Sequence, residues 1–236
     1  GVMNEGYYST ILGLNGIPAI AEEAMIARDI LIAEFTKTAV HIAHVSTAGS
    51  VRLIRDAKAR GLKVTAETAP HYFTLKDESL QSYDTNFKVN PPLRTEQDVH
   101  AIKEGLADGT IDAIACDHAP HGRTDKEVEF EYAANGISGL ETSLGLSLNL
   151  IHSKILTWPE LIARMSLNPA RILNLPKGTL VTGADADITV IDPLRPWTVD
   201  VQTFRSRGKN SPFNGRQMQG KVILTIVGGE IKYDGR

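Results

Sequence analysis

The sequence predicts an α/β fold in which strands and helices alternate around a parallel sheet, followed by a smaller β module. Three observations carry that expectation. Short β-branched, apolar segments alternate with longer ones whose apolar residues recur at helical spacing. The connections are brief, as in chains of βα units. The strand segments are apolar along most of their length, as strands covered on both faces must be. Beyond Pro176 the texture changes to short strands punctuated by glycine, which divides the chain into residues 1–176 and 177–236.

The elements follow in order. The opening GVMNEGYYSTILGLNGIP carries glycine and proline but no start methionine, signal peptide or tag, so it reads as the interior of a longer protein. Ala19 to Phe35 has the spacing of an amphipathic helix. AVHIAHVS (39–46) is a β-branched strand, and AGSVRLIRDAKARG is a helix ending at Gly61. KVTAETAPHYFTL supplies the next strand and its loop. TEQDVHAIKEGLADG is a helix opened by Thr95 and stopped by Gly109. IDAIACD is the last strand of the first region. GISGLETSLGLSLNLIHSKIL and TWPELIARMSLNPARIL predict two more helices. GTLVTGADADITVIDP, WTVD and KVILTIVGGEIKYDG predict the strands of the β module, and RSRGKNSPFNG between them reads as an exposed loop.

Composition excludes several classes of function. The 236 residues are 42% hydrophobic and 22% charged, as in ordinary globular proteins. A net charge of -3 without a basic stripe argues against nucleic acid or an anionic membrane as partner. The longest apolar run, AIAEEAMIARDILIAEF, carries charges at helical spacing and cannot span a bilayer. The single cysteine, Cys116, rules out a disulfide framework and fits a reducing, cytoplasmic setting.

Ionisable residues cluster where strands end. His44 closes HIAHVST, His71 follows TAETAP, Asn90 precedes two prolines in KVNPPLR, and Asp117 and His121 close CDHAPH. In a βα barrel the carboxyl ends of the strands form one rim, and active sites sit there. Imidazole and carboxylate are ligands that a hydrolytic zinc ion takes, and such an ion makes hydroxide available near neutral pH. Asp117 is the strongest signal, because a carboxylate placed directly after AIAC needs a partner or a cation. A lone histidine near a strand is ordinarily a satisfied structural residue. His41, His100 and His152 read that way, and His71 and His118 are given no ligand role. Asn90 also suits a plain turn. From spacing alone these groups amount to an incomplete hydrolytic metal rim, because zinc wants three protein ligands or more.

In this order the motifs GVMNEGYYS, HIAHVSTAGSV, TAETAPHYFTL, KVNPPLRT, DGTIDAIACDHAPH, NGISGLET, NPARILNL, GADADITVIDP and GKNSPFNG resemble the dihydroorotases of bacterial type, within the amidohydrolase superfamily. The resemblance covers nearly the whole chain. It implies part of a (β/α)8 barrel of the metal-dependent hydrolase kind over residues 1–176, and a β-sandwich module over 177–236 that is completed by strands outside this chain. It implies His44 as a zinc ligand on the sixth barrel strand. It implies Asp117 on the eighth strand as both a metal ligand and the general base and acid. Asn90 and His121 match groups that hold the substrate, and Asn135 and Gly136 match a loop pair that touches it through the backbone. Other members carry Phe-Gly there, so the Asn135 side chain is a departure. The His-x-His pair of the first strand, the bridging carboxylate or lysine and the histidine of the fifth strand have no match, and belong to an amino-terminal part preceding Gly1.

The implied reaction is the reversible, zinc-dependent cyclisation of N-carbamoyl-L-aspartate to L-dihydroorotate in pyrimidine synthesis, with one or two zinc ions. The implied partners are the small-molecule substrate, the amino-terminal part of the same protein, and a homodimer mate or an aspartate transcarbamoylase. Two other readings stand beside it: a catalytically silent dihydroorotase-like scaffold subunit, and a cyclic amidase of hydantoinase type.

Overall fold

The computed structural model describes all 236 residues, and they fall into two compact units. The first comprises Gly1–Glu141 with Val201–Pro212, and the second Thr142–Asp200 with Phe213–Arg236. No helix is long and apolar enough to cross a membrane.

The first unit opens with β1 (Met3–Asn4), α1 (Tyr7–Leu12) and β2 (Gly16–Ile17), and β1 pairs in parallel with β2. Then come α2 (Ala19–Thr36), β3 (Val40–Ile42), α3 (Ala48–Ala59), β4 (Val64–Thr68), α4 (Glu96–Asp108) and β5 (Ala113–Ile114). The strands form one parallel sheet in the order β3-β4-β5. Parallel neighbours need a crossover, and α3 and α4 provide the two that this order requires.

Local signals place these helices. Thr95 and Asp98 form a reciprocal capping box at the start of α4, and Gly109 ends it in the left-handed conformation at φ +85°. Thr47 caps α3 by accepting the Ser50 N–H. Both helices turn apolar faces to the sheet: Val51, Ile54 and Ala57 from α3 and Val99, Ile102 and Leu106 from α4 are buried with Ile42, Val64, Ala66 and Ala113. Gly105 lets the backbone of α4 approach; a Cβ there would lie 3.1 Å from Val51 and 3.2 Å from Ile111.

Two strands are shorter than the sequence predicts. AVHIAHVS is strand only over Val40–Ile42, and IDAIACD only over Ala113–Ile114. In each case the chain leaves the ladder because a residue just beyond it is left-handed: His44 at φ +55° and Asp117 at φ +46°. A second difference concerns RSRGKNSPFNG. It is not an exposed loop, since Gly208, Asn210, Ser211 and Phe213 are buried. Buried backbone and amide groups need partners, and this segment finds them in the turn after β5, as described below.

α5 (Arg123–Lys126) follows β5, and α6 runs from Leu140 to His152. In the second unit, TWPELIARMSLNPARIL divides into α7 (Trp158–Ile162), a π-helical turn (Ala163–Leu167) and α8 (Asn168–Ile172). Pro169 in the first turn of α8 has no N–H to donate, and the widened turn directly precedes it. β6 (Ile188–Thr198), β7 (Gln217–Val227) and β8 (Glu230–Asp234) form an antiparallel sheet in that order. The β6–β7 register shifts between Asp192 and Pro196, where prolines withhold ladder donors.

Candidate active site

Four ionisable side chains meet at the carboxyl ends of β3, β4 and β5. His44 lies just past β3, and Asp117 just past β5; His44 Nε2 is 3.6 Å from Asp117 Oδ1. Glu67, in β4 between them, places Oε1 3.4 Å from His44 Nδ1 and Oε2 3.4 Å from His41 Nε2. His71, on the short 3-10 turn Pro70–Phe73 after β4, points Nε2 to within 3.8 Å of Asp117 Oδ2. Parallel pairing brings this about, because Glu67 stands opposite Ala113 and His41 opposite Thr65 in register. The left-handed backbone at His44 and Asp117 is uncommon for residues with a Cβ and costs roughly 1–3 kcal/mol at each.

The electrostatics are those of a partly dry rim. His71 is only 3% exposed, and burial, with the neighbouring His44 imidazole, lowers its pKa to about 3. It is therefore a neutral imidazole at physiological pH. His44 Nδ1 and His71 Nε2 are both buried and lack a hydrogen-bond partner. Such orphans are uncommon and ask for an explanation. The imidazole and carboxylate donors at this rim are of the kind zinc takes, and the two orphaned nitrogens fit a cation or further donors there. No set of three or more His, Cys, Asp or Glu side chains gathers in a metal-holding arrangement. Cys116, beside Asp117, is a free, half-buried thiol whose pKa is pushed up by burial.

The other residues singled out in the sequence occupy two neighbouring loops and a third that ties them. Asn90 is exposed at the head of the KVNPPLR loop. That loop is anchored on both sides: Tyr72 donates from its hydroxyl to the Pro91 carbonyl at 2.8 Å. Arg94, itself buried, donates to Ser46 Oγ, Asn4 Oδ1 and the Ile17 carbonyl. Glu22 gathers the Ser46, Thr47 and Ser50 donors beneath the His44 turn.

His121 and the Asn135–Gly136 pair do come together. His121 Nε2 lies 2.9 Å from the Asn135 carbonyl oxygen, and the Gly136 N–H donates to the Lys88 carbonyl at 2.9 Å. Gly136 sits at φ +140°, and a Cβ there would overlap Ala119, so only glycine fits. The Asn135 side chain is exposed. Two buried lysines brace this loop. Lys88 Nζ donates to the carbonyls of Phe130 and Glu131, and Lys126 Nζ to those of Ala134 and Gly136. Burial, reinforced by Lys88, lowers the Lys126 pKa to about 8.

Two other histidines have ordinary partners. His118 Nδ1 accepts from Gly139 and Leu140 at the start of α6, so it caps that helix. His100 faces Glu104 one helical turn away on an exposed surface. Glu67 joins His41 and His44, a place on the rim that the sequence does not announce for Glu67, nor for His71 and His41. An acid three positions before PHY in a strand was the available signal.

Comparison with known proteins adds three findings. The model of the amidohydrolase family matches residues 20–232. The dihydroorotase of Syntrophus aciditrophicus is 64% identical over 233 residues, which are 99% of this chain and 55% of that protein. That of Geobacter metallireducens is 60% identical, again over 99% of this chain and 55% of the relative. Among solved structures, the L-hydantoinase (dihydropyrimidinase) of Arthrobacter aurescens superposes with a TM-score of 0.88 at 32% identity, covering 92% of this chain and 50% of that one. A D-hydantoinase from Thermus sp. gives 0.86 at 26% identity, covering 93% and 50%. The chain spans about half the length of the curated relatives it matches.

Proposed function

The chain belongs to the amidohydrolase family, and from that premise we propose that it is the carboxyl-terminal part of a zinc-dependent dihydroorotase, which interconverts N-carbamoyl-L-aspartate and L-dihydroorotate. The observation that carries this reading is the approach of His44 Nε2 to Asp117 Oδ1 at 3.6 Å on the strand-end rim, in a chain that aligns over 99% of its length with dihydroorotases. On this reading β3, β4 and β5 belong to a (β/α)8 barrel, and residues 177–236 to a β-sandwich. The remaining strands and zinc ligands come from an amino-terminal part of the same protein. A cytoplasmic location, a homodimer and a docked aspartate transcarbamoylase belong to the same proposal.

Each residue then has a task. When bound, zinc supplies an activated water and polarises the carbonyl under attack. His44 and Asp117 would hold it. In ring opening, Asp117 takes the proton of the attacking water and passes it to the departing ring nitrogen; in ring closure it runs the same path backwards. Its partly dry setting beside a neutral His71 strengthens these electrostatic interactions. Asn90 and His121 hold the substrate's polar end, and the Asn135–Gly136 backbone closes over it. That loop is braced in advance by the hydrogen bonds of Lys88 and Lys126 to its carbonyls.

A second reading, a cyclic amidase acting on hydantoins, draws on the L-hydantoinase superposition. Parallel assays of L-dihydroorotate and a hydantoin with the complete zinc-loaded protein decide between them. Turnover of dihydroorotate in clear preference is the expected result. Preference for the hydantoin overturns the proposal, and turnover of neither overturns it in favour of the silent scaffold.

A further inference from the structure

Asn210 lies in the segment that the sequence presents as an exposed loop, and the reaction outlined above gives it no task. Yet it is only 5% exposed, and both polar atoms of its amide are engaged. Nδ2 donates to the carbonyl of Ala119 at 3.0 Å and to that of Gly136 at 2.9 Å. Oδ1 accepts the N–H of His121 at 2.9 Å and the hydroxyl of Ser138 at 2.8 Å. The Asn210 carbonyl also accepts the Ser138 N–H at 2.8 Å. Next to it, Gly208 comes so close to the turn after β5 that a Cβ would sit 2.8 Å from the His121 nitrogen.

We propose that Asn210 is a positioning residue that sets the distance between the His121 loop and the Asn135–Gly136 loop, and through them the affinity for the ring substrate. This rests on the dihydroorotase reading. The chemistry singles out asparagine. Its amide presents two donors and a doubly accepting oxygen on one short planar group, and all are used. Aspartate would set an oxygen against two carbonyls, and alanine would leave buried groups of both loops unpaired. The His121 ring joins the same two loops through the Asn135 carbonyl. A ring that turns to a ligand gives that bond up, and Asn210 is then what holds the spacing. The hydrogen bonds of the Asn210 side chain go to Ala119, Gly136, His121 and Ser138 and none to His44 or Asp117, so its effect falls on binding and leaves the proton-transfer pair in place.

The test uses the complete assembled protein carrying Asn210→Ala and, as the milder change that puts one hydroxyl in place of the amide, Asn210→Ser. Steady-state kinetics on L-dihydroorotate are measured beside zinc content and amide hydrogen exchange over residues 119–122 and 134–138. Loops freed from their fixed spacing pay an ordering cost when the substrate binds, so KM is expected to rise at least about tenfold in Asn210→Ala, with kcat within about threefold. Zinc content stays at the wild-type level, and exchange quickens at both loops. A fall in kcat at unchanged KM, the mark of a merely structural residue, overturns the proposal. So does exchange that stays at the wild-type rate. If the wild type fails to open dihydroorotate, the functional reading fails, and the exchange result still decides whether Asn210 couples the loops.

Discussion

His44 and Asp117, just past the ends of two strands that β4 separates, face each other at 3.6 Å, and both are left-handed at the backbone. The shared conformation has a mechanical consequence. Each strand gives up its ladder early and turns its ionisable side chain across the sheet's carboxyl edge. Strain of this kind persists where the surroundings over-determine it, and it concentrates at functional sites.

The role given to Asp117 predicts that Asp117→Asn in the complete enzyme keeps its fold and loses most turnover. General acid–base catalysis contributes about a hundredfold to ten-thousandfold, so kcat should fall within that span. Thermal unfolding run beside the assay separates lost chemistry from lost structure. Near-normal turnover would remove Asp117 from the proton path.

His121 predicts a different signature. Its ring pairs with the Asn135 carbonyl, whereas His44 pairs with Asp117. His121→Ala should therefore raise KM while zinc content, read by elemental analysis, stays unchanged. Lost zinc with an unchanged KM would contradict its place on the substrate side.

Gly136 is set by geometry rather than chemistry. At φ +140° with Ala119 against it, Gly136→Ala carries both a backbone penalty and an overlap. The expected cost is about 2–4 kcal/mol of unfolding free energy, read by denaturant titration. A change within about 0.5 kcal/mol, the range of ordinary surface substitutions, would show that the loop relaxes freely.

Lys126 gives a pH dependence with a definite sign. Its folded pKa is lowered to about 8 by burial, with Lys88 adding to the shift and Asp84 opposing it. The unfolded side chain holds its proton up to about 10.4. Between those values the unfolded chain binds more protons, so stability rises as pH climbs from about 8 towards 10, and is lost as pH falls back through 8. Lys126→Met should flatten that rise in midpoint-against-pH curves. An unchanged slope would mean another group titrates there.

Helix ends were legible in the sequence because their determinants are local. Thr95, Asp98 and Gly109 bound α4 through contacts a few residues apart. The strands were legible as apolar runs, but not their ends, since nothing in AVHIAHVS or IDAIACD announces a left-handed residue. Among site residues, His44 and Asp117 stood out as ionisable groups closing apolar strands. Glu67 did not, because an acid within a strand also reads as an exposed edge position until the sheet order puts two histidines beside it.

By itself, then, the sequence determined the alternation of strands and helices, the caps, and the motifs that resemble dihydroorotases, all of which depend on neighbours in the chain. Only the tertiary structure decided that Glu67 and His71 join the His44–Asp117 rim and that Asn210 is buried. Asn210 finds Ala119 and Gly136 across long stretches of chain, and which polar group a buried amide pairs with follows from how distant segments pack.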